Sequence, residues 1–208
     1  MNRKAILEYQ PGVYRVRSTS TPTDTALLEV FLEEAITAVA AFKGRRVLVG
    51  SASGVLAWTT IPIETSQPAR LARLASVPAR NGSKKSYVME ISISPEAVAF
   101  CAGLSGGQLW AGYIRKQPAV RCVMQSTWMV KGLTSATSLS RGRVVAAGEN
   151  TVFLFKMGTP APVWTHEMGF SPLRVGRVGP DLIGVVGDGA KLRTLSVEES
   201  TVKVLESM

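Results

Sequence analysis

The chain has 208 residues, of which 46% are hydrophobic and 19% charged, so it can bury a core and is not disordered by composition. No uncharged apolar run reaches the roughly eighteen residues of a membrane-spanning helix, and the first eight residues lack the apolar stretch of a secretory signal. Two cysteines are too few for a disulfide framework or a four-cysteine zinc site, which indicates a reducing compartment.

The net charge of +9 is concentrated in the middle of the chain. Residues 65–148 contain eleven basic side chains but only two acidic ones, whereas the segments on either side are close to neutral. Such an asymmetry produces a positive field that attracts phosphates or acidic protein surfaces. A solvated basic face without a partner is the alternative interpretation, because net charge alone reports solubility.

The first predicted elements are two strands, at 5–9 and 13–18, that pair across Pro11-Gly12. Thr23 and Asp24 then precede residues 26–32, a run that suits either a capped helix or an outer strand. We treat residues 1–34 as an N-terminal lead-in, separate from the pattern that follows.

Residues 35–208 contain four copies of one pattern. In each copy a β-rich run ends in a small residue and glycine, a short turn follows, and a second β-rich run comes next. The turns contain Gly, Asn, Asp and Ser, the residues that tolerate the positive φ of tight hairpins. The glycines that end the first runs are Gly50, Gly103, Gly148 and Gly187. The predicted hairpins lie at 46–58, 97–110, 144–155 and 182–195.

Each hairpin is flanked by two further candidate strands. Those before the hairpins are predicted at 36–42, 88–94, 134–139 and 173–178. Those after the hairpins are predicted at 70–76, 119–125, 163–167 and 201–205. Four strands in a unit of about 40–50 residues is the size of a propeller blade. The sequence therefore predicts an all-β array of four-stranded antiparallel sheets.

Residues 36–58 resemble a blade of a WD-repeat β-propeller, and the three later units resemble degenerate copies of it. The resemblance implies a β-propeller-like domain of about four blades at 35–208, with residues 1–34 as a partial further blade or a closing strand. This count indicates a small closed ring or an incomplete one, and the exposed strand edges of an incomplete ring would pair with a partner chain or a second copy. The implied function is a non-enzymatic scaffold for protein–protein interaction within a larger complex.

In the implied blade alignment, the turns between first and second strands share a rim with those between third and fourth strands. The cations placed on that rim are Lys43, Arg45, Arg46, Arg115, Lys116, Arg141 and Arg143. The connector at 61–87 adds Arg70, Arg73, Arg80, Lys84 and Lys85. We hypothesise that this basic set binds another protein subunit, and RNA-backbone binding in a ribonucleoprotein assembly is the alternative.

Exposed aromatic residues would favour RNA, because bases stack on them. Trp58, Trp110, Phe153 and Phe155 fall at positions expected in the core. Trp128 and Trp164 are predicted to be freer, and Trp128 lies in a candidate interface segment. No spacing indicates an aromatic platform, so the sequence does not predict base-specific recognition.

The strongest catalytic pattern is the G-x-S-x-G motif at 103–107, which is followed in chain order by Glu149 and His166. A hydrolase needs this motif between a strand and a helix, whereas residues 108–114 indicate a second strand. We therefore predict a hairpin turn, no catalytic site, no metal and no cofactor. Cys101 is predicted to lie in the core, and Arg121 is placed to lower the pKa of the Cys122 thiol. The expected location is intracellular, in the cytoplasm or nucleus, with an organelle left open.

Overall fold

The computed structural model describes residues 5–10, 13–18, 28–31, 35–42, 46–60, 72–77, 86–115, 121–198 and 201–205. Within these ranges nineteen strands form five antiparallel sheets, and the helical residues are two three-residue 3-10 turns. Neither turn approaches the length of a membrane-crossing helix, and no other helix occurs in these ranges.

The N-terminal sheet has three strands in the order β1 (Ala5–Gln10), β2 (Val13–Ser18) and β3 (Leu28–Phe31). Gln10 lies opposite Val13, so the first two strands pair as the predicted hairpin requires. The run that suited a helix or a strand is a strand, and it pairs with β2.

The other four sheets each contain four consecutive strands, and we call them blades 1 to 4. Blade 1 contains β4 (Ile36–Phe42), β5 (Arg46–Ser51), β6 (Val55–Thr60) and β7 (Ala72–Ser76). Blade 2 contains β8 (Val88–Ile93), β9 (Ala99–Leu104), β10 (Gln108–Arg115) and β11 (Arg121–Met129). Blade 3 contains β12 (Leu133–Ser138), β13 (Arg143–Gly148), β14 (Thr151–Lys156) and β15 (Trp164–Glu167). Blade 4 contains β16 (Pro172–Arg177), β17 (Leu182–Gly187), β18 (Leu192–Val197) and β19 (Val202–Leu205).

The central hairpins form because their turn residues accept the necessary backbone conformation. Gly54 and Gly107 have φ values of 77° and 83°, a region in which a side chain would be strained. The predicted four-strand units and their antiparallel pairing are confirmed.

The blades pack in chain order, with β8 between β4 and β12, and β12 between β8 and β16. Each junction between neighbouring blades, which we call a seam, contains one cluster of buried apolar side chains. Examples along the three seams are Leu48 and Phe100, then Trp128 and Phe155, then Ile183 and Leu195. Four blades joined by three seams make an unclosed ring, so the incomplete alternative is the one observed.

The first strand of each blade, which we call its inner strand, has a β-bulge directly after its first residue. The bulged residues are Thr37, Met89, Thr134 and Leu173. The Thr37 hydroxyl donates to the carbonyl oxygen of Val88 at 2.6 Å, and the Thr134 hydroxyl donates to that of Pro172 at 2.8 Å. In blades 1 and 3 the bulged threonine therefore connects one inner strand to the next.

Two of the glycines that end the repeated runs differ in the space around them. A Cβ atom on Gly148 would lie 2.5 Å from the carbonyl oxygen of Lys131, closer than real Cβ contacts. The nearest neighbour of a Cβ on Gly103 would be Leu133 Cδ2, at an ordinary distance of 3.4 Å. The repeated glycine is therefore required by close backbone approach in blade 3 but not in blade 2.

The substitution Gly148→Ala is expected to lower the free energy of unfolding by about 2 kcal/mol, because the backbone at Lys131 must move. Gly103→Ala is the matched control and is expected to leave stability nearly unchanged. Urea denaturation followed by circular dichroism measures both. Equal stabilities of the two variants would contradict the difference in packing.

Candidate functional site

One end of the blades gathers most of the described arginines. Because consecutive strands are antiparallel, the turns between first and second strands and those between third and fourth strands lie at the same end, which we call the first rim. The arginines described there are Arg46, Arg73, Arg115, Arg121, Arg141, Arg143 and Arg177. The remaining predicted residues lie outside the described residues, and their role stays a prediction: Lys43, Arg45, Arg70, Arg80, Lys84, Lys85 and Lys116.

Arg115 and Arg121 lie directly opposite each other, at the end of β10 and the start of β11. Both are exposed. No ion pair in the described part of the chain involves either of them. Like charges at directly opposed positions repel each other, so this pair lacks the compensation that a carboxylate would give.

Arg46 of blade 1 lies on the same rim, near Cys122 of blade 2. Burial raises the pKa of the Cys122 thiol to about 12, and the positive charge of Arg46 opposes that rise. Successive residues of a strand point to opposite faces, so Arg115 and Arg121 lie on the face of blade 2 opposite to Cys122 and Arg46. We call the Arg115–Arg121 pair the arginine cluster. The predicted lowering of the Cys122 pKa by Arg121 is wrong, because burial dominates.

Arg143 is buried, with 5% of its surface exposed. Its guanidinium donates to the carbonyl oxygens of Ser140 at 3.1 Å, Val197 at 3.2 Å and Glu198 at 2.9 Å. It also pairs with the Asp181 carboxylate at 2.5 Å. Arg143 is therefore held inside the chain and joins blade 3 to blade 4, whereas Arg141 on the same turn is exposed.

The rim around blades 2, 3 and 4 carries both signs of charge. The Glu96 carboxylate accepts a hydrogen bond from the Ser140 hydroxyl, which lowers the pKa of Glu96. The Arg177 guanidinium, which also lowers that pKa, donates to the Ile93 carbonyl oxygen at 3.3 Å. Among the described residues of this rim, Arg115 and Arg121 are therefore two adjacent cations without a carboxylate partner.

Glu90 is a half-buried carboxyl group between the inner strands of blades 2 and 3. Its Oε2 accepts from the Ser135 hydroxyl at 3.1 Å, and its Oε1 accepts from the backbone N–H of Ala136. Burial raises its pKa to about 7, although the Ser135 hydrogen bond and the charge of Arg174 oppose the rise. Our sequence reasoning missed this residue, and the available signal was an acidic residue inside an otherwise apolar and hydroxyl-bearing strand.

The catalytic pattern at 103–107 is a hairpin turn, as predicted. Ser105 follows β9, β10 begins at Gln108, and the Ser105 hydroxyl accepts a hydrogen bond from the backbone N–H of Tyr87 at 3.0 Å. Glu149 pairs with Lys131 at 3.0 Å. The strand–turn–helix geometry of a nucleophile elbow is thus not formed. Across the described ranges, no three His, Cys, Asp or Glu residues group as a metal site.

The aromatic and cysteine positions differ in part from expectation. Cys101 is buried, as predicted, and burial raises the pKa of its thiol. The prediction that Trp128 is free for contacts is wrong. Its indole N–H donates to the Thr159 carbonyl oxygen at 2.8 Å, and its ring stacks on Phe155 with centroids 4.7 Å apart. Trp128 is therefore a core residue that cannot stack on a base.

No protein-family model and no curated protein sequence matches the chain. Hsv2 of Kluyveromyces lactis has a similar structure, with a TM-score of 0.70 and 7% identity, over 99% of this chain and 71% of that one. The β-propeller domain of Cps50 (Swd1) from Myceliophteria thermophila gives a TM-score of 0.62 at 12% identity, over 95% of this chain and 65% of that one. The computationally designed protein Ika4 gives 0.61 at 14% identity, over 85% of this chain and 100% of that one. At such identities the likeness establishes the fold alone.

Proposed function

We propose that this four-bladed, WD-repeat-like β-propeller is a non-enzymatic scaffold that binds an acidic segment of a protein partner within a larger complex. The proposed binding site is the arginine cluster. The observation that carries the proposal is the exposed Arg115–Arg121 pair, which has no carboxylate partner in the part of the chain described. Guanidinium groups bind carboxylates through two parallel hydrogen bonds, so an acidic segment would relieve the repulsion.

The strands beneath the pair support this role. Arg115 and Arg121 terminate strands of eight and nine residues. Ile114 and Cys122, the adjacent opposed residues, are both buried in the seam with blade 1. Packing therefore fixes the backbone that carries the two guanidinium groups before a partner arrives, which reduces the entropy lost on binding.

Binding to an RNA backbone is the second candidate. Arginine supplies fifteen of the 24 basic side chains, and its planar fork also suits phosphate. Since Trp128 is buried, this candidate rests on phosphate contacts, and its affinity would fall steeply as salt rises.

The double substitution Arg115→Glu, Arg121→Glu is expected to reduce recovery of the protein partner at least tenfold, or about 1.4 kcal/mol, because it replaces attraction by repulsion. The measurement is affinity purification of the tagged chain from its native cells, with half of each lysate treated with nuclease. The matched control is Lys131→Glu, Lys191→Glu, which makes the same charge change at exposed positions on the opposite rim.

Protein partners that survive nuclease, disappear with the arginine reversal and remain with the lysine reversal would support the proposal. Partners lost on nuclease treatment would favour the RNA candidate. Equal recovery by the arginine reversal and the unchanged chain would show that the cluster is not the binding site.

A further inference from the structure

Blade 4 exposes an apolar sheet face. Cross-strand register places Gly176 opposite Gly184, Val186 opposite Leu192, and Thr194 opposite Leu205, so these residues share one face. Leu182 alternates onto the same face, and Val178 reaches it, since its Cγ1 lies 3.2 Å from the Cβ position of Gly184. The aliphatic residues of this face, which we call the free face, are 37 to 66% exposed: Val178, Leu182, Val186, Leu192 and Leu205.

The other face of blade 4 is a normal seam, because Ile183, Val185 and Leu195 are buried against blade 3. Because both faces of β17 carry apolar residues, residues 182–186 form a nearly continuous apolar run. Such runs are typical of strands that are covered on both faces, whereas a strand with one solvated face alternates apolar and polar residues. The sequence of β17 is therefore that of a strand whose second face is also covered.

The bulge of blade 4 supports the same conclusion. Leu173 occupies the position at which Thr37 and Thr134 contact the next inner strand. Leu173 is 56% exposed. Blade 4 thus repeats the bulge of the other blades, with an exposed apolar side chain in place of the threonine hydroxyl.

The opposite end of the array is already covered. Val47, Val49, Ala57 and Thr59 share the face of blade 1 that points away from blade 2, and each is at most 5% exposed. A head-to-tail contact, in which the free face meets blade 1 of another copy, would need that face to be open. Because the head-to-tail contact is excluded, two copies can meet through their free faces only in the self-complementary arrangement, in which the two free faces pack on each other around a two-fold axis.

The charge distribution favours contact between two copies through blade 4. Residues 149–208 contain six basic and seven acidic side chains, whereas residues 65–148 hold nearly all the excess positive charge. The cations on the free face, Arg174 and Lys203, lie on its outermost strands, and Lys203 pairs with Glu198 at 2.6 Å. An apolar centre with a charged margin is the usual anatomy of a protein interface.

We infer that the free face of blade 4 binds the free face of a second copy of this chain. Four strands of about six residues cover about 20 Å by 19 Å. Two such faces bury less than the roughly 1,200–2,000 Å² of a standard interface, so the dimer is weak and dependent on concentration. This inference does not rest on the proposed function, since it uses a different surface.

Sedimentation velocity over a wide range of concentrations tests the inference with the purified full chain. The unchanged chain is expected to show a monomer–dimer equilibrium. Val186→Glu and Leu192→Glu are each expected to weaken it at least tenfold, because a carboxylate would be buried between the copies. Gly176→Lys is also expected to weaken the dimer, because its long side chain would separate the two free faces. A Cβ at Gly176 meets no atom within 4 Å, so the substitution leaves the blade itself undisturbed.

Met129→Glu is the control, because Met129 is 68% exposed but lies on blade 2. Circular dichroism verifies that each variant is folded. A weakened dimer in the free-face variants, with an unchanged dimer in the control, would support the inference. A chain that stays monomeric at every concentration would overturn the inference. That result would overturn it even if the free face were later found to bind a different protein. A dimer that persists in all three free-face variants, or that the control weakens equally, would also overturn it.

Discussion

Replacing Arg143 with alanine is expected to lower the free energy of unfolding by about 3 kcal/mol. The substitution removes the guanidinium that donates to the carbonyl oxygens of Val197, Glu198 and Ser140, of which Ser140 keeps the backbone N–H of residue 143, and it leaves Asp181 without its ion pair. Buried acceptors that lose their donor keep the full cost of desolvation, and Arg143 is almost completely buried. Urea denaturation at neutral pH measures the loss.

Three further variants separate the parts of this contact. Arg141→Ala, on the same turn but exposed, should change stability by less than about 1 kcal/mol. Asp181→Asn should cost less than Arg143→Ala, since the amide oxygen can still accept from the guanidinium and the Val197 and Glu198 carbonyl groups keep their donor. Arg143→Lys retains the charge but not the fork, so we expect a loss between those of Arg143→Ala and Asp181→Asn. Equal effects of Arg143→Ala and Arg141→Ala would contradict the structural role of Arg143.

The variant Glu90→Gln is expected to be more stable than the unchanged chain by about 3 kcal/mol at pH 8, and equally stable near pH 4. The cause is the burial of Glu90, which raises the pKa of its carboxyl group from 4.5 to about 7. An amide of the same shape still accepts from the Ala136 N–H, and its NH₂ can donate to the Ser135 hydroxyl.

The direction of the pH dependence follows from this raised pKa. Below pH 4.5 the carboxyl group is neutral in both the folded and the unfolded chain, so it adds no penalty. Between pH 4.5 and about 7 the unfolded chain releases the proton first, and the folded chain loses stability as the pH rises. Above that range both states are ionised and the penalty is constant.

Denaturation of both proteins at a series of pH values measures the difference and cancels the contributions of other carboxyl groups, including Glu96. A stability difference that stays constant from pH 4 to pH 8 would contradict the raised pKa. A difference of the opposite sign would indicate that the ionised form of Glu90 is stabilised instead, through Arg174.

The strand positions could be predicted from the sequence because the information is local. Gly54 and Gly107 mark tight turns by themselves, and apolar runs of suitable length flank them. The observed strands therefore begin and end close to the predicted positions. That the ring is open depends instead on which sheet faces are covered within the chain. The apolar run around Val186 indicates a covered face but does not distinguish a further blade of the same chain from another molecule.

The site was predictable only in part, for the same reason. The topology placed both Arg141 and Arg143 at the first rim, but two residues of separation did not reveal that Arg143 turns inward to Asp181. The proximity of Arg46 to Cys122 depends on contact between blades, and that contact determines the surroundings of the thiol. Glu90 escaped notice because its partner Ser135 is 45 residues away in the chain.

The open ring also determines how the fold loses structure. When each blade contacts only its neighbours, the cost of local unfolding from an end is roughly the cost of breaking one seam. Among the described residues blade 4 has a single seam, and its polar contacts include the hydrogen bonds from Arg143 to Val197 and Glu198 and that from Thr134 to Pro172. The blade with the free face is thus also an end that can open alone. A molecule bound to the free face would therefore suppress local opening of that end as well as cover its surface.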